Sequence, residues 1–213
     1  MLEKIKVFIV DDLEDWLKAI SKYLSREQDL EIVGTAMSRE DALNFIKQND
    51  IDIILLDINL SCNNYDGIDA LVEISEIKHN VKVIMMTSLK SEDVIKKSFL
   101  AGAVNYIFKD DYIEIPDIIR KSYRDNLPIS AILKEYRALS IDKYNKIQDS
   151  LTPCEKELLL KKQQGYSNKE LAKELNKSEN TIKSQTRSII KKFDCKSLKD
   201  IISVFNILKK NKH

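Results

Sequence analysis

The sequence has few of the residues that build disulfide scaffolds or transition-metal sites. Its three cysteines, Cys62, Cys154 and Cys195, are scattered and show no CxxC spacing, which favours reduced thiols over a disulfide framework. The two histidines, His79 and His213, lie far apart, so the sequence does not support a histidine metal site. No run of about 18 apolar residues is present, which predicts that no segment spans a membrane. The N-terminus shows no signal-peptide pattern, and we therefore expect a cytoplasmic protein.

Charge is distributed unevenly along the chain. The 213 residues carry a net charge of only +1, but residues 151–213 contain 15 Lys/Arg against 7 Asp/Glu, whereas residues 1–150 contain 20 against 27. A segment of net charge +8 joined to one of −7 indicates nucleic acid or another polyanion as the partner of the C-terminal part. Because basic segments are often simply solvated, charge alone leaves that partner open.

Residues 1–124 alternate between two periodicities. Short β-branched runs occur near residues 4–10, 30–36, 51–57, 81–87 and 104–108, and helical patterns occur near 13–25, 39–48, 67–78, 92–101 and 112–124. Since strands joined through helices form right-handed crossovers, the helices should cover both faces of one sheet. The pattern predicts an α/β domain with a doubly wound five-stranded parallel sheet.

The remaining chain is predicted to be helical. Residues 125–150 are interpreted as a linker with a short helix, because Pro128 breaks the preceding helix and the end of this segment is polar. Residues 151–213 are expected to form a small all-α domain of four helices. The residues expected to cap these helices are Thr152, Ser167, Ser178 and Ser197.

The third of these helices has two faces. Its apolar positions recur at helical spacing and should face a core. They are Ile182, Thr186, Ile189 and Phe193. A basic and polar side lies opposite, formed by Lys183, Ser184, Arg187, Ser188 and Lys191. A short helix and a tight turn precede it, which is the helix-turn-helix arrangement, whose second helix lies in the DNA major groove.

Reactive side chains stand at the ends of the predicted strands. Asp11 and Asp12 follow the first strand, Asp57 ends the third, Thr87 ends the fourth and Lys109 follows the fifth. The carboxyl ends of parallel strands meet at one edge of the sheet, where ligands bind. Three carboxylates at that edge would repel one another unless a cation lies among them, and an all-oxygen site suits Mg²⁺.

Asp57 is then placed to attack a phosphoryl group and to form an acyl phosphate. Mg²⁺ and Lys109 would offset the charge that develops on the transferred oxygens, and Thr87 could hydrogen-bond the new phosphoryl group. The backbone carbonyl of Asn59 could complete the metal ligands supplied by Asp11, Asp12 and Asp57. Any one of these residues alone is more often a cap or a solvated residue, but together at successive strand ends they favour a functional site.

The first 124 residues resemble the receiver domain of bacterial two-component response regulators. The markers are Asp11-Asp12, the acceptor Asp57, Thr87-Ser88, and Tyr106 followed by Lys109. The resemblance implies a flavodoxin-like fold and phosphoryl transfer to Asp57 from a sensor histidine kinase. It also implies a switch in which Thr87 moves toward the phosphoryl oxygens and Tyr106 turns inward behind it. Ser61 departs from the family pattern, because a proline commonly stands there.

Residues 151–205 resemble the LuxR-type DNA-binding domain of the NarL/FixJ family. The matching residues are Leu151-Thr152-Pro153-x-Glu155, Gly165-x-Ser167-Asn168-Lys169-Glu170-Leu171-Ala172, Ser178-Glu179-x-Thr181-Ile182-Lys183 and Lys196-Ser197. The DNA contacts expected from this arrangement are Lys169, Thr181, Lys183, Ser184, Arg187 and Lys191. The resemblance implies a homodimer on a two-fold-related DNA site. Ile202 and Phe205 of the last helix could serve such a dimer or could equally be core.

The sequence therefore indicates a transcription factor without enzymatic turnover, controlled by phosphorylation of Asp57. A first alternative has the same fold but binds DNA constitutively. A second is a Mg²⁺-dependent phosphohydrolase, which Asn59 disfavours because such enzymes place an acid two residues after the nucleophile. A third is an adaptor that acts through protein contacts alone and would show no salt-dependent affinity for DNA.

Overall fold

The computed structural model describes residues 4–61, 66–88, 91–124 and 128–210, without the side chains of 128–134, 137 and 208–210. The chain divides into two compact units, the first running to Glu135 and the second from Tyr136 to Lys209. Among the residues described, no helix combines the length and the apolar character needed to cross a membrane.

A five-stranded parallel sheet forms the centre of the first unit. Its strands are β1 (Ile5–Val10), β2 (Leu30–Ala36), β3 (Ile53–Asp57), β4 (Lys82–Thr87) and β5 (Asn105–Phe108). They pair side by side in the order β2-β1-β3-β4-β5. The predicted doubly wound parallel sheet is confirmed.

Helices alternate with these strands. They are α1 (Glu14–Leu24), α2 (Arg39–Gln48), α3 (Asp66–Ile77), α4 (Glu92–Ala101) and α5 (Ile115–Tyr123), with a 3₁₀ helix (Lys109–Glu114) before α5. In α1 the buried residues Leu17, Ile20 and Leu24 recur every three or four positions, so that one stripe packs on the sheet core. The α-helical part of the segment predicted at 112–124 begins at Ile115, because Pro116 suits a first turn.

The strand order places a crevice at the carboxyl ends of β1 and β3. The chain leaves β1 toward β2 at one side of the sheet and then returns to β3 on the other side, and ligands bind where the connections diverge in this way. Every residue of β3 is buried. The apolar strand therefore delivers Asp57 from the core directly to this crevice.

The segment interpreted as a linker is more helical than its sequence predicts. Helix α6 (Pro128–Asp149) has 22 residues and includes the polar stretch at its end. The Tyr144 ring lies 5.7 Å from that of Phe193 and 6.1 Å from that of Phe205, and Ile147 packs against the same core. Two apolar residues in a polar stretch give a weak local signal, and packing on the second unit accounts for the helix here.

Four further helices complete the second unit: α7 (Pro153–Gln163), α8 (Asn168–Glu174), α9 (Glu179–Phe193) and α10 (Leu198–Lys210). The Thr152 and Ser167 hydroxyls accept bonds from the N–H groups of Glu155 and Glu170, so both predicted capping boxes form. Phe205 is 4% exposed and belongs to the core. Of the two residues that the sequence left as either core or dimer contacts, Phe205 is therefore a core residue. Ile202 is half-buried.

Candidate functional site

Four of the predicted reactive residues lie at the carboxyl edge of the sheet. Asp11 directly follows β1, Asp57 and Thr87 end β3 and β4, and Lys109 directly follows β5. All four side chains are buried although they are polar or charged. Burying a charge is unfavourable unless it is paired, so this group must be held together by its own contacts.

The ammonium group of Lys109 joins the two buried acids. Its Nζ lies 2.6 Å from Asp11 Oδ2 and 3.3 Å from Asp57 Oδ2. The other oxygen of Asp11 accepts a bond of 3.0 Å from the backbone N–H of Leu13. These contacts hold the two carboxylates at one ammonium group, so that one lysine is shared between two negative charges.

Burial and the shared lysine act in opposite directions on the pKa values of the two acids. Burial raises the pKa of Asp57 to about 6; the Lys109 charge opposes the rise, and the Asp11 charge adds to it. Burial also raises the pKa of Asp11, against the hydrogen bond and charge of Lys109. Two acids beside a single ammonium group are incompletely neutralised, and additional positive charge at the site would favour their ionised forms.

The acidic residues fit a divalent cation. One carboxylate oxygen from each of Asp11, Asp12 and Asp57 lies within 4.8 Å of the others. Oxygen ligands of this kind, with Asp12 exposed to water, suit Mg²⁺, which keeps part of its hydration shell. Asn59, whose backbone carbonyl is the fourth predicted ligand, is half-buried two residues beyond Asp57.

Thr87 and Tyr106 are in contact close to Asp57. Thr87 is fully buried, and its side chain shares a hydrogen bond with the hydroxyl of the half-buried Tyr106. Burial raises the pKa of Tyr106 to about 12, with the Thr87 bond opposing and the Asp57 charge reinforcing the rise. The two residues predicted to form a switch are therefore physically coupled in this conformation.

The turn after β3 contains positioning contacts that sequence reasoning did not assign. The Asp66 carboxylate accepts bonds from Leu60 N–H at 2.7 Å and from the Ser61 hydroxyl at 2.5 Å. Gly67 N–H donates to Ile58 O at 2.9 Å, and a Cβ on Gly67 would lie 2.0 Å from Asp57 O. The Asp66-Gly67 pair signals a helix start in the sequence, but the close approach of its backbone to the acceptor is a tertiary feature.

In the second unit, helix α9 presents the predicted basic face. Ile182, Ile189 and Phe193 are buried, and Thr186 is half-buried with its hydroxyl bonded to Ile182 O. Every residue predicted to contact DNA is exposed. These residues are Lys169 on α8 and Thr181, Lys183, Ser184, Arg187 and Lys191 on α9.

A buried carboxylate fixes α9 against α7. Glu155 accepts bonds from the Ser188 hydroxyl at 2.9 Å and from Lys192 Nζ at 2.7 Å, besides its capping bond from Thr152 N–H. Burial opposes ionisation, but the bonds from Lys192, Thr152 and Ser188 outweigh it and lower the pKa of Glu155 to about 2. The capping box predicts only the Thr152 bond, so the anchoring of α9 was missed.

Comparison with known proteins assigns both parts of the chain to families. Residues 7–120 match the family of response regulator receiver domains, and residues 149–205 match the luxR family of bacterial regulatory proteins. The response regulator protein VraR of Staphylococcus epidermidis is 31% identical over 191 residues, which cover 89% of this chain and 90% of VraR.

Solved structures of RcsB, one of them from Salmonella enterica serovar Typhimurium, share the fold. RcsB bound to the promoter rprA with the phosphomimetic BeF₃⁻ has a TM-score of 0.61 at 19% identity, over 95% of this chain and 99% of RcsB. A structure of two RcsB dimers on two parallel DNAs has a TM-score of 0.56 at 19% identity, over 96% and 98% of the respective chains. The chain belongs to the two-component response regulators of the NarL/FixJ type, in which a receiver domain precedes a LuxR-type helix-turn-helix region.

Proposed function

We propose that a sensor histidine kinase phosphorylates Asp57 in a Mg²⁺-dependent reaction, and that this promotes dimerisation and sequence-specific DNA binding in the cytoplasm. We assign the receiver domain to residues 1–124, the linker to 125–150 and the DNA-binding domain to 151–213. The observation that carries the proposal is the contact of one buried lysine with two buried acids, Asp11 and Asp57, at the crevice of the sheet.

In the transfer step, an oxygen of Asp57 forms a bond to phosphorus while the phosphorus–nitrogen bond of the donor phosphohistidine breaks. The leaving imidazole keeps the electron pair and takes up a proton. Asp11, Asp12, Asp57 and the carbonyl of Asn59 would hold Mg²⁺, which supplies positive charge to the phosphoryl oxygens. Lys109, already at 3.3 Å from Asp57, moves from the carboxylate to the added phosphoryl oxygens.

The acyl phosphate adds about −1.5 to −2 charge at the crevice. Thr87 then donates its hydroxyl to a phosphoryl oxygen, and Tyr106 follows because the two side chains share a hydrogen bond. A change of this size needs to favour the dimer by only about 1–3 kcal/mol to alter DNA occupancy usefully.

The exposed face of α9 is the proposed DNA-reading surface. Lys183 and Arg187 stand one helical turn apart and can reach guanine edges or phosphates in the major groove, while Lys169 contacts the backbone. Thr181, Ser184 and Lys191 extend this surface. The RcsB complexes, in which dimers are bound to DNA, support the same arrangement here.

The test compares wild type and Asp57→Ala in the full chain, with Mg²⁺ and BeF₃⁻ as the phosphoryl mimic. Light scattering should show more dimer for the wild type only, with tighter binding of DNA duplexes selected by the protein from a random pool. Equal binding by the mutant and the treated wild type would favour the constitutive alternative. Turnover of small phosphate esters would favour a phosphohydrolase. The absence of a salt-dependent affinity for DNA would favour an adaptor.

A further inference from the structure

The only tryptophan of the chain stands beside the lysine of the phospho-acceptor site. Trp16 lies in the first turn of α1, half-buried, with the centre of its indole ring 5.8 Å from Lys109 Nζ. The ring of Tyr112 meets it edge-on at 6.5 Å, and Tyr23 in turn meets Tyr112 at 5.5 Å. Trp16 is thus supported by an aromatic row and faces the ammonium group.

The Trp16 ring packs against the core of the first unit and so contributes to folding stability, but its nitrogen does not. The Trp16 Nε1 atom is buried and has no hydrogen-bond acceptor among the residues that the structure describes. An unsatisfied buried donor is unfavourable, and phenylalanine would fill much of the same space without one. The attraction between a cation and an aromatic face is strongest for tryptophan, which gives the indole a role that phenylalanine would perform less well.

The contact with Trp16 affects the position of the Lys109 ammonium group. Its flexible four-carbon chain carries the ammonium to Asp11 at 2.6 Å and Asp57 at 3.3 Å. Both acids stand at the strand ends that border the crevice, and the indole ring provides an attractive surface for the ammonium group that they share. We propose that Trp16 is a positioning residue that keeps the Lys109 ammonium directed at Asp57, ready for the incoming phosphoryl group. The proposal rests on the proposed phosphorylation of Asp57.

The rate of phosphoryl incorporation from acetyl phosphate with Mg²⁺, followed by intact-mass spectrometry on the full chain, tests this. Trp16→Leu, which removes the ring, should slow incorporation about twofold to fivefold, and Trp16→Phe by less. Trp16→Phe should keep or raise the melting temperature, because it removes the unsatisfied donor. Tyr23→Phe is the matched control: it changes the other α1 aromatic residue that contacts Tyr112, and it should keep the wild-type rate.

A double mutant with Lys109 distinguishes a positioning effect of Trp16 from an effect of its packing on the fold. In a Lys109→Met background, Trp16→Leu should cause no further slowing, since the cation on which it acts is gone. Slowing by the same factor in that background, or wild-type rates for both Trp16 variants, would overturn the positioning role. If Trp16→Leu does not fold, Trp16→Phe decides: a slower rate at unchanged stability supports the role and an unchanged rate refutes it. Failure of the wild type itself to incorporate phosphate would instead refute the proposed function, and the positioning role with it.

Discussion

A single methyl group added at Gly67 would directly disturb the backbone of the phospho-acceptor. The Cβ of alanine at this position would lie 2.0 Å from Asp57 O and 2.8 Å from Ile58 O. Ordinary contact requires about 3.5 Å. Both oxygens belong to the backbone, so no side chain can rotate away. Either the start of α3 or the end of β3 must therefore move by roughly 1 Å or more, since the interior is close-packed.

Two quantities should change in Gly67→Ala. Overpacking of this kind reduces the free energy of unfolding by about 1–3 kcal/mol. A displacement of about 1 Å at a reacting group can reduce a rate about 100-fold, so we expect phosphoryl incorporation to fall by about tenfold to 100-fold. Thermal unfolding of the full chain by circular dichroism measures the first, and intact-mass spectrometry with acetyl phosphate and Mg²⁺ measures the second.

Gly34→Ala is the matched control. Its added Cβ would lie 2.5 Å from the ring of Phe45, which stacks on Phe8 in β1. It should therefore lower stability through the same kind of overpacking, but it should leave the incorporation rate close to that of the wild type. Phosphorylation of Gly67→Ala at the wild-type rate, or an equal loss of rate in Gly34→Ala, would show that the close approach of Gly67 to Asp57 does not position the acceptor.

Three further predictions concern the second unit. Asp194 ends α9 with a left-handed φ of 51°, a conformation that glycine adopts more readily. Asp194→Gly should therefore raise the free energy of unfolding by up to about 1 kcal/mol in urea denaturation. Asp200→Gly, within α10, is the contrasting variant and should lower it. Glu155, with its pKa lowered from 4.5 to about 2, stabilises the fold above pH 4.5 and loses that contribution as acidification approaches pH 2. The melting-temperature difference between wild type and Glu155→Gln should therefore shrink over that range, and a constant difference would contradict the assignment. Arg187→Ala should weaken the free energy of DNA binding, measured by fluorescence anisotropy, by about 1–3 kcal/mol, whereas Lys146→Ala on α6 should leave it unchanged. Equal losses in the two variants would show that α9 does not form the DNA interface.

Much of the fold was predictable because local patterns and tertiary packing agree. The apolar run near 51–57 became β3 (Ile53–Asp57), buried along its whole length. The caps at Thr152 and Ser167 formed as their spacing indicates. The extent of α6 was not predictable, because only its packing through Tyr144 and Ile147 distinguishes the polar segment from a connection.

The sequence by itself determined which chemical groups stand at the strand ends, because the apolar run that forms a strand and the polar residue that ends it are adjacent along the chain. It likewise determined the two faces of α9 through helical spacing. Only the tertiary structure decided the contacts between distant segments: Lys109 between Asp11 and Asp57, Glu155 against Lys192, and the Gly67 backbone against Asp57. Such contacts depend on how whole strands and helices are placed in space, and no local pattern along the chain encodes distances between residues so far apart.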